Sequence, residues 1–424
     1  MPQAASAEVA AAVADAHRRE WAFVLAATVR VAEDIDAAEE AVQDAYAKAL
    51  ATWGGNGIPQ NPGAWLTVAA RRRALDLRRR AATAERALPK LLVPGESGGA
   101  EETGSDEGGI PDDRLRLIFT CCHPALAFEA RVALTLRLLC GLSTAEVARA
   151  FLVPEATMAA RITRVKNKIA AANIPYRVPA ASELDDRLDG VLAVVYLVYA
   201  TGHTSPSGAD LMRRDLAERG LELARMLHVL LPGNTDVAGL LALILLTEAR
   251  TGARLDGHRD IVLLENQDRS KWDRQAIEEG LALLREALAA RPPGRFALMA
   301  AIAAVHDESG SWADTDWDEI LGLYDLLMER WPSPVVRLNR AIALGFAAGP
   351  AEGLAELDAL GAEPQLARYP YLAAARGDFL VRLGRAGEAQ VAFGEALILA
   401  GNEVEQQFLR SRLAGLAKGL PGQR

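Results

Sequence analysis

The chain has 424 residues, half of them apolar and 5% aromatic, with a formal net charge of −9. That length allows two to four domains with sizeable cores. Three cysteines, Cys121, Cys122 and Cys140, are too few for a disulfide framework and fit a reducing cytosol. The apolar runs Val191–Ala200 and Val237–Leu246 are too short to span a bilayer, and the N-terminus has no basic segment followed by an apolar one. The expectation is a soluble, cytoplasmic protein with no membrane partner. Ala and Leu dominate and β-branched runs are short, which predicts an all-α fold. The charge is uneven. Outside the acidic run Glu96–Asp113, residues 1–178 hold 22 Lys and Arg against 14 Asp and Glu, whereas residues 179–424 hold 25 against 35. Basic lobes with an acidic appendage suggest a nucleic-acid binder fused to something else.

In the first segment, residues 9–87, Trp21, Phe23, Val24, Ala27 and Val31 recur at helical spacing. Asp34 or Asp36 is the expected N-cap of a helix over 37–53. Its apolar stripe is Ala41, Val42, Ala45, Tyr46 and Leu50, with Glu39, Glu40, Gln43, Asp44 and Lys48 largely off that stripe. A Gly- and Pro-rich loop over 54–63 leads into a third helix starting near Pro62. This helix, within NPGAWLTVAARRRALDLRRR, carries Trp65, Leu66 and Ala69 at i, i+3/i+4 spacing and six arginines: Arg71, Arg72, Arg73, Arg78, Arg79 and Arg80. Such a helix can track phosphates while nearby aromatics stack on unpaired bases. A solvated amphipathic helix explains the same residues equally well.

Residues 88–111 read as a flexible acidic linker, low in hydrophobicity and rich in Gly. Residues 112–172 predict three or four helices ending in a helix-turn-helix. Ser143 and Glu146 form a capping-box pair, and Val147, Ala148 and Phe151 give the first helix its apolar face. A turn at 152–154 precedes a second helix held on the core by Met158, Ile162, Val165 and Ile169, with Arg161, Arg164, Lys166 and Lys168 leaving it basic. A recognition helix needs an apolar back, an N-terminal part facing base edges and cations that reach phosphates. An ordinary helical hairpin with a solvated basic face is the alternative. Cys121-Cys122-His123 lacks the C-x₂-C geometry of zinc sites, so a buried structural role is expected and no metal.

Residues 180–280 predict a helical connecting domain, and 281–420 a helical-repeat domain with a loose period of 34–40 residues. The related stretches are LALLREALAARPPGRFALMAAIAAVH, YDLLMERWPSPVVRLNRAIALGFAAG and FGEALILAGNEVEQQFLRSRLAGL, each a helix, a turn and a second helix. Residues 309–317 read as an insertion between helices. The polar stretch 254–274 holds Asp256, His258, Glu265, Asp268 and Asp273. These residues could form a ligand or metal site, but a structured loop held by Asp/Arg pairs and packed by Trp272 is preferred. His203, at the end of an apolar helix, could line a pocket. The chain has no G-x-S-x-G, Walker A, G-x-G-x-x-G or H-E-x-x-H pattern, so it is not expected to be an enzyme and implies no cofactor.

Taken together, the two basic lobes resemble group IV (extracytoplasmic-function) sigma factors of bacterial RNA polymerase. AEEAVQDAYAKALATW is similar to the region 2 helix that binds polymerase, NPGAWLTVAARRRALDLRRR to the helix that melts and reads the −10 element, and residues 115–170 to region 4, which reads the −35 element. DDRLRLIFTCCHPAL and the tail stretch IVLLENQDRSKWDR resemble the subgroup with a C-terminal tetratricopeptide-type extension, thought to control activity. The resemblance implies core polymerase binding by Glu39, Glu40, Gln43 and Asp44. It implies promoter contact by Trp65, Arg71, Arg72, Arg73, Thr157, Ala160, Arg161, Arg164, Lys166 and Lys168. Arg72 stands where many relatives have Asn, and Ala159 and Ala160 where many have Arg and Ser, so the promoter sequence does not carry over. Core polymerase, promoter DNA (−35 duplex and melted −10) and a ligand or protein at the tail are the expected partners. The competing class is a ligand- or peptide-binding protein whose helix-turn-helix acts as a conventional transcription regulator; no heptad-patterned dimerisation helix supports a dimeric repressor.

Overall fold

The computed structural model describes residues 2–87, 113–151 and 153–417. The linker expected over 88–111 lies outside the described residues. Among the described residues every regular element is helical, and the extended backbone forms only isolated bridges. The chain divides into two compact units, Met1–Val194 and Val195–Arg424, and the division falls inside one helix.

The first unit begins with three mutually packed helices, α1 (Pro2–Ala32), α2 (Ile35–Asn56) and α3 (Pro62–Ala87). Asp34 caps α2 by accepting from the Ala37 amide at 2.7 Å, and Asn61 caps α3 by accepting from Ala64 at 3.0 Å. Val24, Leu25, Val42, Leu66 and Ala70 form the buried seam between them. Two stripe expectations differ from the structure. Leu50 is exposed, and Glu39, placed off the stripe, is buried. The covered face of α2 is wider than its apolar residues alone because a second lobe packs on it.

That second lobe holds α4 (Asp113–Cys121), α5 (Phe128–Leu134), α6 (Thr144–Ala150), α7 (Glu155–Ala171) and the first part of α8 (Ala181–His203). Ser143 and Glu146 make the expected capping box at the start of α6. Met158, Ile162 and Ile169 bury the back of α7. All three cysteines are buried and free; burial pushes the Cys122 thiol up to about 11, so it stays protonated. A π-helical turn, Thr135–Leu139, continues α5. The buried Trp21 indole Nε1 donates to the Leu138 carbonyl at 3.0 Å, pinning α1 to that turn. Tyr176 donates its hydroxyl to the Ala26 carbonyl at 2.8 Å and holds α1 from a second point.

Gly141 follows the π turn at φ 69°, and a Cβ there would lie 2.9 Å from both His17 and Trp21. Both the backbone conformation and the close approach require glycine. Gly141→Ala should therefore destabilise the first unit by about 2–3 kcal/mol, from left-handed strain plus displacement of the indole. Urea unfolding followed by tryptophan fluorescence checks this, and a loss under ~0.5 kcal/mol would contradict it.

The second unit contains the end of α8 and α9 (Arg214–Leu230), α10 (Thr235–Glu248), α11 (Arg274–Ala287), α12 (Arg295–Glu308), α13 (Trp317–Arg330), α14 (Pro334–Ala347), α15 (Pro350–Ala359), α16 (Pro370–Arg382), α17 (Ala386–Leu399) and α18 (Glu403–Ala417). The uniformly apolar run of α10 is buried at every position from Val237 to Leu246, as a central helix must be. Each of the three related stretches forms a helix–turn–helix: α11 with α12, α13 with α14, and α17 with α18. The stretch between α12 and α13 is anchored by Trp312 and Trp317, whose rings are 4.8 Å apart, with Trp317 stacked on Phe346 at 4.5 Å. In the polar loop after α10, Asp256, Asp268 and Asp273 accept from backbone amides two to four residues on. Trp272 is buried beneath the Arg269 guanidinium, 4.5 Å from its ring. Those carboxylates are therefore occupied in shaping the loop, and among the described residues no group of three or more His, Cys, Asp or Glu could hold a metal ion.

Candidate nucleic-acid interface

One face of α7 is open to solvent along the length of the helix. Thr157, Ala159, Ala160, Arg164 and Lys168 are exposed, and Arg161 is half-buried. Arg161 lies 3.7 Å from Glu129 on α5, and Lys168 donates to the Ala125 carbonyl at 2.6 Å. The Arg164 Nε folds back on the Ala160 carbonyl at 3.2 Å. These contacts are weak and solvated, so the three cations can be redirected to phosphates at little cost. The two alanines leave the middle of this face flat.

Lys166 behaves differently. Its side chain is only 11% exposed and turns inward, onto α2. Its ammonium bonds Glu39, and Asp36 at 2.5 Å. Arg137 of the π turn pairs with the other oxygen of Glu39 at 2.9 Å, as an ion pair without hydrogen-bond geometry. Burial pulls the Lys166 ammonium down, but Glu39 and Asp36 outweigh it and leave its pKa above the ordinary lysine value. Glu39 is thus a buried carboxylate, 4% exposed, shared by two cations of the other lobe. This joins a residue expected to contact polymerase to one expected to contact DNA. Sequence reasoning missed Arg137 and Asp36 as partners, and with Glu39 and Lys166 127 positions apart no local pattern could have paired them.

The basic helix α3 is partly committed as well. Arg73 pairs with Asp44 at 2.5 Å and Glu40 at 3.3 Å. Arg71 donates to the Ala27 carbonyl at 3.3 Å, and Arg78 to the Val31 carbonyl at 2.7 Å. Arg72 is exposed, and Trp65 is half-buried, edge-on to the buried Trp53 at 5.5 Å between ring centres. Glu40, Gln43 and Asp44 are exposed on α2. Among the described residues no helix is long and apolar enough to cross a membrane.

This architecture, a helical protein whose first unit contains a capped helix-turn-helix, agrees with the sequence comparisons. Residues 116–169 match the family described as "Sigma-70, region 4", which covers α4 to α7 and supports a sigma-type role in transcription. Residues 187–288 match a "Family of unknown function (DUF6596)". No solved structure matches. The chain is 41% identical, over 396 residues making up 93% of each chain, to an uncharacterized protein of Rhizobium meliloti (strain 1021), and it belongs to the same family.

The buried ion cluster can be tested directly. Removing one partner of a buried pair strands the other, at a cost of roughly 3–5 kcal/mol. Glu39→Gln and Lys166→Met should each lower stability by a few kcal/mol, and the double variant should lose clearly less than their sum. The expected coupling is about 1–3 kcal/mol. A coupling near zero in urea titrations would mean that the two lobes do not meet through this pair in solution.

Proposed function

We propose that the protein is a promoter-specificity subunit of bacterial RNA polymerase, a group IV sigma factor acting in the cytoplasm, with a helical C-terminal extension that regulates it. The observation that carries the reading is the pairing of two lobes in one unit. One is a region 4 helix-turn-helix whose α7 presents cations and a flat alanine face to solvent. The other is an acidic helix, α2, followed by an arginine-rich helix, α3, with a half-exposed Trp65. Each lobe suits one part of the task. The α7 face docks on −35 duplex through Thr157, Ala160, Arg161, Arg164 and Lys168, with Lys166 joining after release from Glu39. The α3 face, through Trp65, Arg71, Arg72 and Arg73, takes melted −10 DNA. Glu39, Glu40, Gln43 and Asp44 meet polymerase. No step of this activity requires bond-making chemistry by the chain itself, and it functions without catalysis or a cofactor.

The buried cluster gives initiation a structural requirement. Glu39 cannot meet polymerase, nor Lys166 a phosphate, while each satisfies the other. Binding of the two lobes to polymerase and promoter replaces one set of ion pairs by another, so the exchange need not be costly.

Reconstitution with core polymerase and run-off transcription from the gene's own upstream region tests the proposal. Initiation should depend on the added protein. Arg161→Ala with Arg164→Ala should weaken promoter binding about 10- to 100-fold and flatten its salt dependence by about two phosphate contacts, while sparing association with core polymerase. Specific duplex binding without any association with core polymerase would favour a conventional regulator instead, and neither activity would remove both readings.

A further inference from the structure

The second unit closes on itself. α18 returns to the loop that follows α8, where the wholly buried Asn402 donates from its amide to the Asp210 carbonyl at 2.7 Å. The Glu403 amide donates to the Gly208 carbonyl at 2.9 Å, and Gln407 donates to Asp260 at 2.8 Å. Arg382 pairs with Glu265 at 3.0 Å, joining α16 to the loop after α10. Inside this closure lies a pocket of about 620 Å³, a size suited to a small organic molecule. Much of its wall is apolar or aromatic and comes from separate helices, among them Leu243 of α10, Ile342 of α14 and Phe408 of α18.

One group in that wall has no counterpart. Arg254 enters from the loop after α10. Its guanidinium donates to the His203 carbonyl at 2.5 Å and to the Thr204 hydroxyl at 3.0 Å, both neutral acceptors. Among the described residues no carboxylate forms an ion pair with it. Glu248 acts on it only at longer range, since that carboxylate accepts from the Tyr199 hydroxyl at 3.2 Å, and burial pushes its carboxyl up towards the neutral form. Glu405 is engaged by the Tyr371 hydroxyl at 2.6 Å. The His203 ring, beside Arg254, is held neutral, its pKa pushed down to about 3 by burial and by the Arg254 and Arg250 charges. A largely buried cation with only neutral partners is costly, and the missing element is an anion.

We propose that this pocket binds a small organic anion, with a carboxylate or phosphate head on Arg254 and an apolar or aromatic body against Leu243, Ile342 and Phe408. The wall from Tyr196 to Leu263 falls within the stretch matching the family of unknown function, so that segment supplies part of the proposed site. The site stands independently of the transcription reading, and its occupancy is read by binding alone. Its coupling to promoter output is a separate measurement that rests on that reading.

Two related fluorescent probes test the proposal on the full chain: the anion 1-anilinonaphthalene-8-sulfonate and the uncharged N-phenyl-1-naphthylamine. Each should saturate at one site per chain, the anion binding at least about tenfold tighter. Decanoate should displace both, and decan-1-ol should be at least about tenfold weaker. Arg254→Met should weaken the anion at least about tenfold and the neutral probe less than about threefold. Arg254→Lys, which keeps the charge, should stay within a few-fold of wild type for the anion and serves if Arg254→Met fails to fold. Absence of a saturable anion site, equal affinity for the two probes, or insensitivity of the anion to loss of the Arg254 charge would each overturn the proposal.

Discussion

A single buried carboxylate organises the first unit. Glu39 lies between the three-helix lobe and the helix-turn-helix lobe, with Lys166 and Arg137 reaching it from the same side. A buried charge with two opposite charges tolerates few rearrangements, because moving either lobe strands ions in a low-dielectric interface. The apolar contacts around it, with Trp21 on the π turn and Gly141 beneath the indole, supply close packing. Direction comes from the ions together with the Trp21 and Tyr176 hydrogen bonds, which hold α1 to the other lobe at two further points.

The same arrangement sorts the cations of the unit into two groups. Arg137 and Lys166 are committed inward, and Arg71, Arg73 and Arg78 are committed to neighbouring carbonyls or carboxylates. Arg72, Arg164 and Lys168 are on the surface, the last two resting on the Ala160 and Ala125 carbonyls, and Arg78 is exposed as well. A basic stretch of sequence is therefore a poor measure of the charge that a partner meets. In this fold the inward group sets the conformation and the outward group sets long-range attraction, two effects with different salt dependence.

Much of the local structure is legible in the sequence. The Asp34 cap, the Pro62 helix start, the Ser143–Glu146 capping box and the apolar back of α7 follow from short-range stereochemistry, and each is present. The stretch after α10 is a structured loop packed by Trp272, as read, but its Asp residues shape it through backbone amides and not through the expected Asp/Arg pairs. What the sequence does not disclose is of longer range. Glu39 looks like a solvent-facing acid because helical periodicity reports one apolar stripe and is blind to a second, polar contact face. Arg254 and His203 sit 51 residues apart, and Asn402 lies 192 residues from Asp210. The pocket thus has no contiguous motif. His203 reads as a pocket residue because it ends an apolar helix, but the aromatic and aliphatic walls come from other parts of the chain.

The closure made by Asn402 has a consequence in time. Its partners, Ser205 and Asp210, precede it by almost 200 residues, so the contact cannot form until nearly the whole second unit has been synthesised. Contacts of such separation are slow to form, and they come late when a chain folds as it emerges. The first unit, whose residues all precede position 195, can mature earlier. During that interval a nascent chain holds a finished helix-turn-helix while the anion pocket still lacks one wall. Translation order therefore separates the two modules kinetically, even where mature chains always carry both.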